Sequence, residues 1–413
     1  MGPLAWLYAR QRLFSPGLER VRALLARLGD PQGAYPVALV GGTNGKGSAA
    51  RALAAILEEA GLKVGLYTSP HLVDFRERIA VQGAWIPEGH LRALLEEVRP
   101  HAEALGASFF EIATATALLH FAREGVGFAV LEVGLGGRLD ATNAAEPQLS
   151  IVTNIGHDHL EVLGPTLREV AREKAGIFRK GVPALTAARG EGLLALKEEA
   201  RARGTPLSVL GEDFFVEGVC PLPQGLAFTL QAGGERLSLK TPLLGPHQAE
   251  NLALAALGGL LLGAGREAVA RGVARAENPG RLQRLPLGKG GEVVLDGAHN
   301  PEGAWALRAA LQAHGLLPSA LVLGFSRDKD HPALAEAFRG LGPVVLTRYA
   351  SPRSQDPKAL LPLFPGAHVE DEPLKALEKA LALAPRVVVA GSLYLVGEVL
   401  RGLKGLPPEE RWQ

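Results

Sequence analysis

The chain has 413 residues, with 44 Lys and Arg against 43 Asp and Glu, one cysteine, and no methionine beyond Met1. That length exceeds what a single core usually supports, so two domains are expected. A hydrophobic content of 47% with a formal charge of +1 excludes a disordered chain and gives no whole-chain reason for nucleic-acid or membrane binding.

The lone Cys220 excludes an intrachain disulfide or a thiolate cluster. Met1–Phe14 carries Arg10 and Arg12 and lacks the apolar run of a signal peptide. Leu252–Gly265, the longest apolar stretch, is too short to span a bilayer and reads as a buried helix. A cytoplasmic monomer acting on small molecules is expected.

In chain order, Leu18–Leu28 has helical spacing and stops at Gly29-Asp30-Pro31. Pro36–Gly41 reads as a buried strand that runs into a glycine-rich loop, then a helix over Ala49–Ala60 and a strand over Lys63–Thr68. Strand, loop, helix, strand is the βαβ element of a parallel sheet. Helices follow at Gly89–Ala104 and Glu111–Arg123, then strands at Phe128–Val133 and Leu149–Asn154. Thr166–Ala175 and Glu191–Arg203 read as helices, alternating with strands at Val182–Thr186 and Pro206–Leu210. Between Asp213 and Lys240 three strand-like runs, separated by Pro and Gly clusters, suggest antiparallel hairpins on the sheet edge. Helices over Gln248–Leu262 and Glu267–Ala276 precede the turn signal Asn278-Pro279-Gly280, a domain boundary. A second alternation of strands and helices fills the rest of the chain. The expected fold is α/β: a P-loop-type, mostly parallel sheet domain with an antiparallel edge over residues 1–280, and a smaller Rossmann-like α/β domain over residues 281–413.

The loop Gly41–Ser48 offers what a phosphate needs: glycines for close backbone approach, the Lys46 charge, and a helix N-terminus directly after. It departs from the general P-loop pattern, because Gly47 stands where a magnesium-binding hydroxyl is usual and the first hydroxyl is Ser48. A mononucleotide with Mg²⁺ follows. Either ATP or GTP would suit such a loop, but the guanine-reading Asn-Lys-x-Asp pattern is absent. Glu132 ends a strand beside this loop, a position for a hard oxygen ligand. Asn154–His159 is either a metal site or a polar loop with a hydrogen-bonded histidine. Lys174, between charged neighbours, reads by itself as part of a solvated helix face. Phe109 and Phe110 are either core or a stacking platform for a flat ring.

Gly42-Thr43-Asn44-Gly45-Lys46-Gly47-Ser48 resembles the loop of the Mur ligases, within the folylpolyglutamate synthase/dihydrofolate synthase branch. Five further stretches match that branch in order: Thr68–Leu72, Glu132–Asn143, Asn154–His159, Glu173–Ile177 and Asp296–Pro301. A weaker echo lies in Gly391–Tyr394. The resemblance implies that Gly42 to Ser48 bind ATP, with Asn251 near the adenine and Arg281, Asp296 and His299 reaching the nucleotide from the second domain. It implies two Mg²⁺ ions, held by Ser48, Glu132, His159 and a carbamylated Lys174. Lys46, Glu132, His159 and Lys174 are the implied catalytic set. Ser69, Pro70 and His71 belong to a loop that closes on the folate substrate. The Arg78 fork would suit a glutamate carboxylate, Phe110 a pterin ring, and Lys329 would lie near the incoming glutamate.

The implied activity is an ATP-driven ligase that adds L-glutamate to dihydropteroate, to a reduced folate, or to both, through an acyl phosphate. Two alternatives stand beside it: another Mur-type ligase, disfavoured because only Met1–Val40 precedes the loop, and a P-loop regulatory module that hydrolyses nucleotide. An ammonium beside a dication would repel it, whereas a carbamate is an anion with oxygen donors. Intact mass or electron density of active protein at physiological bicarbonate should therefore show Lys174 heavier by one CO₂. An unmodified amine in that preparation would overturn the assignment.

Overall fold

A computed structural model describes residues 2–12 and 17–407, apart from the side chains of Arg12 and Lys289. Of the N-terminal segment read above, Met1, Leu13 and Phe14 lie outside the described residues. No helix among the described residues is long and apolar enough to cross a membrane.

The first lobe is built on eight strands: β1 (Val37–Gly41), β2 (Val64–Tyr67), β3 (Ile79–Val81), β4 (Ala84–Trp85), β5 (Phe128–Glu132), β6 (Pro147–Val152), β7 (Ala184–Thr186) and β8 (Leu207–Val209). Their order is β4-β3-β2-β5-β1-β6-β7-β8. The six strands from β2 to β8 run parallel, while β3 and β4 pair antiparallel at one edge. Central β1 is apolar along its length because both faces are covered. Val37 and Leu39 enter one core with the helix Phe109–Glu124. Ala38 and Val40 enter another with the helices Lys46–Glu59, His247–Leu261 and Arg266–Ala274. At the Lys46–Glu59 crossing, a Cβ on Gly272 would stand 2.6 Å from the Ile56 backbone nitrogen, so only glycine allows this approach.

Two expectations change here. The antiparallel edge exists, but it is made by β3 and β4. The hairpin strands β9 (Phe214–Leu222), β10 (Gly225–Ala232) and β11 (Glu235–Thr241) form a separate three-stranded sheet instead. Phe214, Phe228, Leu230 and Leu239 bury their side chains with Leu252 and Val269, so the hairpins cap the helices rather than extend the main sheet. The apolar stretch at 252–265 is helical only to Leu261.

The second lobe carries six strands: β12 (Gln283–Pro286), β13 (Glu292–Leu295), β14 (Ala320–Leu323), β15 (Val344–Leu346), β16 (His368–Val369) and β17 (Arg386–Ala390). Their order is β12-β13-β17-β14-β15-β16, parallel except for β12.

Candidate active site

Strand order explains why motifs far apart in the chain meet. In the first lobe β2, β5, β1 and β6 are neighbours, and their carboxyl ends lead into Ser69 and Pro70, Glu132, the phosphate loop and Asn154–His159 respectively. In the second lobe, adjacent β13, β17 and β14 lead into Asp296–His299, Ser392–Tyr394 and Ser326–Lys329. Ligands of open α/β sheets bind at such carboxyl ends. Here the two sets face each other across a cleft of about 810 Å³.

The helix after β1 starts at Lys46, earlier than its periodicity suggested, with Gly45 at φ 83° as its N-cap. That left-handed turn and the absence of a Cβ let the Asn251 carboxamide, held by Gln248 at 3.1 Å, pack directly on the loop. Lys46 Nζ donates to the carbonyls of Thr43 at 3.0 Å and Gly42 at 3.2 Å. Lys174 Nζ donates to the same Gly42 carbonyl at 2.8 Å. Lys174 is only 5% exposed, so it does not belong to a solvated face. Burial, then repulsion from Lys46, pushes its ammonium down to about 7.

Glu132 is buried, and its Oε2 accepts from the Ser69 backbone N–H at 3.0 Å. Burial raises its carboxyl, against the pull of Lys46 and that N–H. Its Oε1 accepts no hydrogen bond among the described residues and faces Gly47, where a Cβ would stand 3.6 Å away. Gly47 thus keeps the space beside the carboxylate open. Asn278, read only as a turn residue, donates to Ser48 Oγ at 2.7 Å.

The lobes meet at Asp158. Lys329 Nζ donates to its Oδ1 at 2.6 Å, His299 Nε2 lies 3.3 Å from its Oδ2, and His159 Nε2 lies 3.8 Å from Oδ2. Burial alone would raise this carboxyl, but His299, His159 and Lys329 hold it well below the usual carboxylate range. Burial pushes His159 down to about 4, leaving a neutral imidazole in a left-handed backbone turn at φ 53°. Asn44 and Asn300 exchange carboxamide hydrogen bonds at 3.1 and 3.3 Å, and His157 N donates to Glu302 at 3.1 Å.

Comparison with known proteins decides the family. The Mur ligase middle domain matches residues 40–258 and the Mur ligase glutamate ligase domain matches residues 280–393. A Bacillus subtilis dihydrofolate synthase/folylpolyglutamate synthase is 34% identical, covering 97% of this chain and 98% of the relative. The chain belongs to this family of Mur ligases. It is an ATP-dependent ligase that forms a C–N bond between glutamate and a folate-type acid. The Escherichia coli counterpart is 36% identical over 96% of this chain and 95% of its own. A Mycobacterium tuberculosis folylpolyglutamate synthase complexed with ADP superimposes with a TM-score of 0.92 at 30% identity, covering 98% of each chain. An E. coli FolC structure in complex with DHPP and ADP gives 0.87 at 33% identity, again over 98% of each chain. The chain spans about half, 48%, of a longer Haloferax volcanii relative named probable bifunctional folylpolyglutamate synthase/dihydropteroate synthase.

Of the ligase residues expected from sequence, Gly42 to Ser48, Ser69, Pro70, Arg78, Phe110, Glu132, His159, Lys174, Asn251, Arg281, Asp296, His299 and Lys329 all line the one cleft. His71 does not. It is buried, accepts from Arg78 Nε at 2.7 Å on Nδ1, and lies 3.3 Å from Tyr8 Oη through Nε2. That hydrogen bond ties His71 to Arg78, whose guanidinium sits 5.2 Å from the Phe109 ring centroid and 5.9 Å from that of Phe110. Arg78 Nη1 is buried without a partner. The two phenylalanines separate cleanly: Phe109 is 3% exposed core, Phe110 is 46% exposed in the cleft wall. Asp296 is engaged locally, accepting from Leu282 N at 2.9 Å and Ala298 N at 2.8 Å. Sequence reasoning missed the hub role of Asp158, whose partners His299 and Lys329 lie 141 and 171 positions away. Only the wider motif around it was a signal.

His247 lines the cleft too, and burial pushes it from 6.5 to about 4, as it does His159. Between those pH values the unfolded chain binds protons that these folded imidazoles refuse. Stability is therefore full above about pH 6.5 and falls as pH drops toward 4. Urea midpoints measured across this range should decline less steeply in His247→Gln. An unchanged slope would contradict the assignment.

Proposed function

We propose that this ligase activates a pteroate- or folate-type carboxylate with ATP as an acyl phosphate and joins it to L-glutamate. The observation that carries this reading is the single cleft that combines a phosphate loop, a buried carboxylate beside it, and the Asp158–Lys329–His299 cluster of the opposite lobe. In the reaction, a carboxylate oxygen of the acceptor attacks the γ-phosphorus and the bond to ADP breaks. The glutamate amine then attacks the acyl carbon, and phosphate leaves with the acceptor's oxygen. Lys46 and the helix N-terminus offset charge on the transferring group. Phe110 offers its exposed face to the acceptor ring, and Arg78, held by His71, offers Nη1 to a carboxylate. Lys329, fixed by Asp158, is placed for the incoming glutamate. Asn251, Arg281, Asp296 and His299 flank the nucleotide.

The donor chemistry fits Mg²⁺. Glu132 Oε1 and Ser48 Oγ are hard oxygen donors beside the loop, His159 keeps both ring nitrogens free of hydrogen bonds among the described residues, and a carbamate on Lys174 would add two oxygens. When bound, the two ions supply charge compensation for the phosphates. The depressed Lys174 ammonium supports this modification, since CO₂ adds to a neutral amine and releases a proton. A division at 280/281 is supported by family matches that stop at 258 and resume at 280. A cleft completed within one chain supports a monomer.

The test is ADP release with each substrate omitted in turn, using dihydropteroate and then tetrahydrofolate as acceptor. Release should require both an acceptor acid and glutamate, occur with both acceptors, and vanish in Lys46→Ala. Release with nucleotide alone at the full rate would make the protein a hydrolytic module and overturn the proposal.

A further inference from the structure

Outside the cleft, one cluster brings together side chains that share no partner in the mechanism. The helices Glu88–Leu105 and Phe109–Glu124 are joined by residues 106–108 and form a helical hairpin. At the end of the hairpin away from that connection, His90 faces His120 and Glu124. The ligating atoms of these three residues lie within 4.8 Å of one another. His120 is 4% exposed, and neither its imidazole nor that of His90 has a hydrogen-bond partner among the described residues. With no such partner, each neutral imidazole keeps a nitrogen lone pair for a ligand.

We propose that His90, His120 and Glu124 bind a Zn²⁺ ion that staples the open end of this hairpin. His120 and Glu124 are four apart on one helix, so both project from the same face and a cation can reach them together. His90 supplies the third ligand from the neighbouring helix. Two imidazole nitrogens and one carboxylate select a zinc-class ion over Mg²⁺ or Ca²⁺, which prefer all-oxygen sets. Bringing three donors to zinc distance needs separations of roughly 3.3 Å, within rotamer adjustment of the exposed His90 and half-exposed Glu124. Among the described residues Lys63 is the competing cation: its Nζ lies 3.3 Å from Glu124 Oε2 and also bonds the Glu124 carbonyl, which leaves Oε1 to the metal. The staple would fix the hairpin that carries Phe110 at its other end.

The test is a zinc titration of the full chain, stripped with chelator and held in excess Mg²⁺, read by calorimetry and by thermal melting. One zinc per chain should raise the melting temperature. His90→Ala, a surface change that leaves the fold intact, and Glu124→Gln should each weaken that event about tenfold or more and shrink the melting shift. His159→Ala, which alters the cleft, should leave it unchanged. Wild-type stoichiometry and affinity in both His90→Ala and Glu124→Gln would overturn the proposal, as would loss of the event in His159→Ala alone.

Discussion

The Gly42 carbonyl accepts hydrogen bonds from two ammonium groups, Lys174 Nζ at 2.8 Å and Lys46 Nζ at 3.2 Å. Two cations around one carbonyl are tolerable only where anions stand close by or one of them loses its charge. Glu132 and Asp158 supply part of the compensation, and the Lys174 ammonium is weakened by burial and by its neighbour. Much of the first lobe serves this arrangement. The parallel order β2-β5-β1-β6 brings the carboxylate, the loop and the histidine segment side by side. Asn251 packs on Gly45, and Asn278 ties Ser48 to the region where the chain crosses to the second lobe. The same concentration of charge suits a polyphosphate, whose negative oxygens need donors already in place.

The second lobe completes the site through contacts of a different kind. Asn44 with Asn300, His157 with Glu302, and Asp158 with Lys329 and His299 are all polar pairs across the cleft. Such pairs align two lobes without the apolar area that would lock them, so nucleotide and both substrates can enter and leave. Three apolar side chains of the first lobe are exceptions: Leu244 joins one second-lobe core, and Leu72 and Val73 join another. Leu72 and Val73 leave the first lobe after β2 and bury themselves there with Val396 and Leu395. The loop that carries Ser69 and Pro70 is thereby coupled to the opposite lobe.

The locally encoded parts of this architecture were legible in the sequence. The loop Gly42–Ser48 announces itself because glycine, lysine and a following helix are adjacent in the chain, and Glu132 is visible as an acid at the end of an apolar strand. Parts that depend on which surface a segment meets were not. The hairpins between 214 and 241 read correctly as strands, but only the apolar faces of the helices 247–261 and 266–274 decide that they form a separate cap. The short β3 and β4 follow the loop that carries Ser69 and Pro70 and have too few residues for a period to show. His71 looked like a substrate contact because it follows Ser69 and Pro70, yet Tyr8, 63 positions earlier, covers it. Lys174 reads as solvated beside Arg172 and Glu173, yet its side chain is buried where its Nζ meets the Gly42 carbonyl, 132 positions earlier.

The central claim is that the acceptor carboxylate itself takes the phosphoryl group before glutamate attacks. Labelling that carboxylate with heavy oxygen tests it directly. After turnover with ATP and glutamate, mass spectrometry of the released inorganic phosphate should find one acceptor-derived heavy oxygen for each amide formed. Phosphate carrying only unlabelled oxygen, with amide still produced, would contradict the acyl-phosphate route.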